Sequence, residues 1–336
     1  MTRSTELLGA ARQRAATRRS RYRAAGFWSS QPLDVVAETA AAHPDRLAAT
    51  DRNGELTFAE LDQRVDAAAS TMIDAGVRTS DPVVLVVGND IDSLVAVHAA
   101  LRIDAVVLLV PRSAGAAQVA DIVRRTQAPF GAAPNWAPAQ SVELSEMLRW
   151  VDLQQATETS RAGLLRPARA ADEPSFVLFT SGTTSAPKGV AHSLSTLSKA
   201  SSNYIAAAGL TAEDRIFLIS PLASVTGVLQ AVFISPMLAI PVVLEDRWDP
   251  VATCELLLES GATWYGGPDR LLDRLLDEAV ARDAATTAAA GAAPPSTRSS
   301  PAAGAAAAAG WEAFLNDVFV LGTQNMANSG EAIIRL

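Results

Sequence analysis

Cysteine, histidine and aromatic rings are scarce in this chain of 336 residues, and each scarcity closes a route. The lone cysteine, Cys254, permits no internal disulfide, so stability has to come from a packed core. It also fits a reducing compartment, and a cytoplasmic location is expected. Three histidines and that cysteine are widely spread and offer no metal-ligand spacing. Positive charge is outnumbered, 28 Lys and Arg against 36 Asp and Glu, and a net charge of −8 argues against a nucleic-acid partner. No secretory leader is visible, because the first apolar pair, Leu7-Leu8, is set among polar residues and arginines. One charge-free run, residues 216–244, is long enough to cross a bilayer. Pro221, Pro236 and Pro241 break it, and Ser220, Ser224, Thr226, Gln230 and Ser235 recur through it. A buried strand–loop–helix–strand passage is expected there, with no membrane span.

What remains is apolar. Hydrophobic residues make up 49% of the chain, enough to core one large domain or two ordinary ones. Continuous apolar runs at 83–87, 105–110, 176–179, 216–219 and 242–244 read as buried strands, and Ala262-Thr263-Trp264-Tyr265 reads as another strand. Between them lie helical patterns. Thr57 and Glu60 form a capping box ahead of Leu61, Val65, Ala68 and Met72. Asn89 precedes a helix whose apolar face carries Ile91, Leu94, Val95, His98 and Leu101, which makes His98 a core or groove residue. Ser193 starts a helix through Tyr204, and Asp249-Pro250 starts another. Strands alternating with helices predict an α/β fold of repeated βα units on a largely parallel sheet.

The richest stretch runs Phe176-Val177-Leu178-Phe179-Thr180-Ser181-Gly182-Thr183-Thr184-Ser185-Ala186-Pro187-Lys188-Gly189-Val190. An apolar strand ends in a run of hydroxyls and glycine, closed by Pro-Lys-Gly. Such a loop offers free backbone N–H groups at Gly182 and Gly189, hydroxyls at Thr180, Ser181, Thr183, Thr184 and Ser185, and the charge of Lys188. That is the equipment for a polyphosphate. The G-x-x-x-x-G-K-S/T phosphate loop does not fit, since Pro187 takes the place of the second glycine and Gly189 follows the lysine.

Position by position, the stretch resembles the signature of the adenylate-forming enzymes, the superfamily of acyl-CoA synthetases, aryl-acid ligases, luciferases and nonribosomal adenylation domains. Shorter similarities accompany it: Leu56-Thr57-Phe58-Ala59-Glu60-Leu61, and Arg21 to Trp28, which is similar to the lead-in of the aryl-acid branch. The resemblance covers residues 20–282. It implies ATP-dependent activation of a small carboxylic acid to an acyl-adenylate, then transfer to a thiol, commonly coenzyme A. Thr180, Ser181, Gly182, Thr183, Thr184, Ser185, Lys188 and Gly189 would hold ATP, with Lys188 as the catalytic charge. Magnesium would be carried by the phosphates. Ser224, Val225 and Gly227 would wall the acid, with Ser224 where many acyl-CoA synthetases have histidine, together with Gly266, Gly267 and Pro268 unless that turn is an ordinary βα connection. The family usually places a glycine-containing turn where this chain reads Arg102-Ile103-Asp104-Ala105.

Four expected organisational parts follow: a basic, solvated leader at 1–25, a partial AMP-binding domain at 26–282, an Ala/Pro/Gly-rich linker at 283–310, and a short segment at 311–336. Fourteen of the residues 284–310 are alanine, and none exceeds threonine or proline in size except Arg298, so a disordered linker is expected. The family's adenine-stacking Y-G-x-T-E, its ribose aspartate and its small C-terminal domain with a catalytic lysine find no match. The large domain is therefore expected to be incomplete. Two readings stay open: a shortened ligase, or else a non-catalytic nucleotide- or acid-binding remnant or a fragment that needs a second chain.

Overall fold

The computed structural model describes residues 8–136, 139, 142–153, 166–179, 188–291, 319–320 and 331–335. The arginine-rich leader forms a helix, α1 (Gly9–Ala24), but it is not merely solvated. Leu8 and Ala15 are buried, and Arg19 and Arg23 reach the Asp172 carboxylate, which has no exposed surface. A carboxylate withdrawn from water requires such partners, which is why the leader docks. α2 (Val35–Ala42), capped by Asp34, then leads to an antiparallel hairpin of β1 (Leu47–Asp51) and β2 (Gly54–Thr57). The capping box forms as read: Thr57 Oγ1 accepts from Glu60 N, and Thr57 N donates to the Glu60 carboxylate at 2.8 Å, starting α3 (Phe58–Asp74).

β3 (Pro82–Val87), α4 (Ile91–Arg102), β4 (Val106–Pro111), α5 (Ala116–Thr126), β5 (Phe130–Ala132), α6 (Val142–Met147), β6 (Arg149–Trp150), β7 (Pro174–Phe179) and β8 (Gly189–Ser193) follow. Where the family usually has a glycine turn between α4 and β4, Asp104 takes φ +57°. Aspartate tolerates this left-handed conformation through local hydrogen bonds, and its Oδ2 accepts from Ala168 N at 2.7 Å and Arg169 N at 3.1 Å. These strands make one sheet in the order β6-β5-β3-β4-β7-β8, parallel except for β8.

α7 (Leu194–Ala208), β9 (Ile216–Leu218), a helical turn α8 (Val225–Gly227), a π-helical turn (Val228–Ile234), α9 (Ser235–Leu238), β10 (Val242–Leu244), α10 (Pro250–Glu259), β11 (Trp264–Pro268) and α11 (Asp269–Gly291) continue the chain. α11 runs beyond Arg282 into the alanine-rich stretch. Alanine is the strongest helix former, so a helix propagates there although no core-sized side chain is available. Residues 292–310, the rest of the expected linker, lie outside the described residues. β12 (Phe319–Val320) and β13 (Glu331–Arg335) complete a second sheet, ordered β12-β13-β11-β9-β10-β1-β2, with β11, β9, β10 and β1 parallel.

Period-two alternation divides the core. Val83, Leu85, Val87, Val107, Leu109, Phe176 and Leu178 point to one face of the first sheet, and Val84, Val86, Val106, Leu108, Val110 and Val177 to the other. The second face is covered by Val119, Ile122 and Val123 of α5. The first face shares one apolar cluster with Ile216, Leu218, Val242, Leu244 and Trp264 of the second sheet, through α2, α3, α4 and α7. The far face of the second sheet packs Phe217, Val243 and Tyr265 on α10 and α11. The architecture is helix, sheet, helix, sheet, helix. Such strands, buried on both faces, are apolar throughout. No helix among the described residues is long and apolar enough to cross a membrane, and residues 216–244 form the buried passage expected of them.

Candidate active site

Parallel strands deliver their loops to one edge, and the candidate stretches lie at or after the C-terminal ends of β7 in the first sheet and of β9 and β11 in the second. The hydroxyl-rich loop joins β7 to β8. Residues 180–187, among them Thr180, Ser181, Gly182, Thr183, Thr184 and Ser185, lie outside the described residues. Their frame is defined: Phe179 pairs with Gly189, so the two ends of the loop are held side by side by an antiparallel ladder. Lys188 is exposed immediately before that pair. A Cβ on Gly189 would lie 3.0 Å from Val177 Cγ1, tighter than ordinary contact, so the glycine lets β8 close on β7. One residue further along, Val190 remains exposed.

The wall expected at 224–227 is built from backbone. Ser224 caps α8, its Oγ accepting from Gly227 N at 3.0 Å, so its hydroxyl is engaged locally while its hydrogen remains available to donate. Gly227 is obligatory: a Cβ there would sit 2.2 Å from Pro221 O and 2.6 Å from Leu222 Cα. Val225, between them, is 49% exposed on the open side.

Residues 266–268, expected as a turn, instead complete strand β11, where they pair with β13, and lead straight into α11. Ile219 N and Ser220 N both donate to Gly266 O, at 3.2 and 3.1 Å. A Cβ on Gly266 would lie 1.8 Å from Gln230 Oε1, and one on Gly267 would lie 2.2 Å from Ile219 Cγ2. Both glycines therefore serve close packing of β11 on the loop after β9 and on the π-helical turn. Pro268 ends β11 and accepts from the Tyr265 hydroxyl at 3.4 Å. Gly227 packs on Pro221 and Leu222, and Gly266 and Gly267 on Ile219 and Ser220, so both stretches rest on the loop after β9.

Sequence reasoning missed Gln230, which is fully buried and donates through Nε2 to the Tyr204 hydroxyl at 3.3 Å. It also missed the π-helical geometry that carries it, where Ser235 N reaches back five residues to Gln230 O. π turns concentrate at functional sites, and a polar residue within an apolar helix was the available signal. His98 is placed away from this wall, in a cavity of about 20 Å³ lined also by Asp34, Arg102 and Phe233. Burial pushes its pKa down to about 4 against the attraction of Asp34, so the imidazole is neutral at pH 7. It is the core residue the helical pattern predicted. Among the described residues no group of three or more His, Cys, Asp or Glu side chains is placed to hold a metal.

Several known proteins are similar to this chain. The chain is 28% identical over 284 residues to the medium-chain fatty-acid–CoA ligase of Escherichia coli, covering 77% of this chain and 50% of that one. Over 97 residues, 27% of this chain and 17% of the relative, it is 43% identical to the salicyl-AMP ligase / salicyl-S-ArCP synthetase of Mycobacterium tuberculosis. The chain thus spans half or less of the length of these relatives. Its fold superposes on o-succinylbenzoate coenzyme A synthetase from Bacillus subtilis in complex with AMP, with a TM-score of 0.66 at 20% identity, covering 74% of this chain and 64% of that one. The same enzyme in complex with ATP and magnesium ion gives 0.67 at 21% identity, covering 74% and 52%. The family described as AMP-binding enzyme matches residues 36–327, beginning later than the motif resemblance and running past Arg282. A match of that span places the protein: the chain belongs to the AMP-binding enzymes, the adenylate-forming superfamily.

Proposed function

We propose that the chain carries the phosphate-gripping and acid-walling part of an ATP-dependent carboxylate-activating ligase. The observation that supports this best is the hydroxyl–glycine–lysine sequence at the C-terminal end of β7, within a family match over residues 36–327. In this reading Thr180, Ser181, Gly182, Thr183, Thr184, Ser185, Lys188 and Gly189 hold the β- and γ-phosphates. The wall of Ser224, Val225, Gly227, Gly266, Gly267 and Pro268 positions a small carboxylic acid.

A carboxylate oxygen attacks the α-phosphorus, the bond from that phosphorus to the bridging oxygen breaks, and pyrophosphate leaves with the electron pair. Charge on the departing phosphates is what N–H groups and Lys188 would stabilise. Magnesium would ride on the phosphates and neutralise part of that charge. The acyl-adenylate would then pass its acyl group to a thiol, coenzyme A or another, with release of AMP. The Escherichia coli ligase is about twice as long as the segment of it that this chain matches. A second reading is therefore a nucleotide- or acid-binding unit completed by another chain.

Pyrophosphate–ATP exchange over a panel of aryl, cyclic and medium-chain acids separates the two. Exchange that depends on one acid class and disappears in Lys188→Ala supports the ligase. ATP binding by calorimetry without exchange supports the binding unit. Folded protein that neither exchanges nor binds ATP or any acid of the panel overturns both.

A further inference from the structure

One side chain just past the end of β3 holds the loop that follows β9 in the second sheet. β3 ends at Val87, and the chain then passes so close to its neighbours that a Cβ on Gly88 would sit 2.2 Å from Asp246 Oδ1 and 2.4 Å from Arg112 Nη1. The next residue, Asn89, is 5% exposed and not part of any strand or helix. Its backbone N donates to Asp246 Oδ1 at 2.7 Å. Its side-chain amide crosses to the loop after β9, where Nδ2 donates to Ser220 O at 2.9 Å and lies 3.4 Å from Leu218 O, while Oδ1 accepts from Leu222 N at 2.7 Å.

That loop is the root of the candidate wall. Ser220 and Leu222 are buried, Ile219 N and Ser220 N bind Gly266 O, and Pro221 O is the atom against which Gly227 packs. The amide offers a donor and an acceptor on adjacent atoms, which is what one carbonyl and one N–H two residues apart require. Aspartate would lose the donor and bury a charge beside Ser220 O. Alanine would leave both backbone groups without their partner at a site closed to water. Arg112, at the end of β4, braces the junction from the same sheet by donating to Asp246 Oδ2 at 2.6 Å and to Asp90.

We infer that Asn89 is a positioning residue for acid selection. It fixes the backbone of residues 218–222, and so the Ser224–Gly227 wall, relative to the first sheet, which carries the Thr180–Lys188 loop. The inference about selection rests on the proposed ligase function; the inference about the loop does not.

The test uses the full-length chain with Asn89→Ala and the near-isosteric Asn89→Asp, both checked for a cooperative melt. Hydrogen–deuterium exchange should accelerate about tenfold or more in peptides spanning 216–228 while peptides spanning 83–87 and 106–110 stay protected. Acid-dependent exchange should show KM for the acid raised about tenfold with KM for ATP within about twofold, a split that general destabilisation would not produce. Unchanged protection of 216–228 in both variants overturns the positioning role, as does a parallel rise of both KM values. If the unsubstituted chain shows no acid-dependent exchange, the ligase reading fails with the selection role, and the protection data alone decide whether Asn89 holds the loop.

Discussion

Arg102 Nη1 donates to Asp66 Oδ1 at 2.7 Å, with the guanidinium wholly shut from solvent and the carboxylate 2% exposed. The same guanidinium binds Asp34, the cap of α2, at 2.8 Å through Nε, and Asp62 of α3 at 2.5 Å through Nη2. One charged fork at the end of α4 therefore ties three helices that fill the space between the sheets. Replacing it by methionine leaves three carboxylates facing one another in a largely dry site. Arg102→Met should lose about 3–5 kcal/mol of unfolding free energy in urea titrations, the usual cost of removing one partner of a buried pair. Arg102→Lys should recover little of it, because an ammonium cannot reproduce the fork.

His98 sets a pH dependence. Its folded-state pKa is pushed down to about 4 by burial, with Asp34 pulling it up and Arg102 pushing it down, against an unfolded value of about 6.5. Between those values the unfolded chain binds a proton that the folded chain refuses. Stability is therefore greatest above about pH 6.5 and falls as pH drops toward 4, by on the order of 3 kcal/mol. Asp34 is held below the usual carboxylate range: burial opposes this, but hydrogen bonds and charge from Arg102 outweigh it, so its own loss comes at lower pH. Urea midpoints of the unsubstituted chain and His98→Leu at pH 7 and 4.5 check the window, with the variant expected to show the smaller change.

Gly227→Ala places a methyl 2.2 Å from a backbone oxygen, where no flexible side chain can yield. The α8 turn must move, at a cost of about 1–3 kcal/mol. If the wall selects the acid, KM for the acid should rise more than KM for ATP.

The leader is structural as well. Deleting residues 1–25 removes Arg19 and Arg23 from the fully enclosed Asp172 and uncovers the surface beneath Leu8. The melting temperature should fall on deletion, and Asp172→Asn should restore part of the loss in the shortened chain, since a neutral amide needs no cation.

Sequence carried the local grammar well. Thr57 and Glu60 announced their helix because a capping box is a contact between residues three apart, and Asp249-Pro250 did so for the same reason. The runs at 83–87 and 176–179 were legible as strands because burial on both faces removes polar residues. β8, reading Gly-Val-Ala-His-Ser, has no such pattern; its strand state comes from pairing with β7 at the sheet edge. Asn89 looked like a residue before a helix, because its amide partners lie more than a hundred positions away. Arg102 was read as part of a turn variant, since its three carboxylate partners sit on two other helical segments. The expectation that 224–227 and 266–268 wall an acid rests on resemblance, and their packing on the loop after β9 depends on contacts that local sequence does not show.

The π-helical turn at Val228–Ile234 carries a consequence for insertions and deletions. An α-helix advances about 100° per residue. In ordinary helical winding a deletion would swing the preceding turns by about that angle. A π-helical turn holds one residue more than that winding needs, so losing one lets it relax while the turns on either side keep their phase. Such a deletion would disturb Gln230 against Gly266, inside the turn, and leave the Gly227 packing on Pro221 in register. Length drift here is thus absorbed where it occurs.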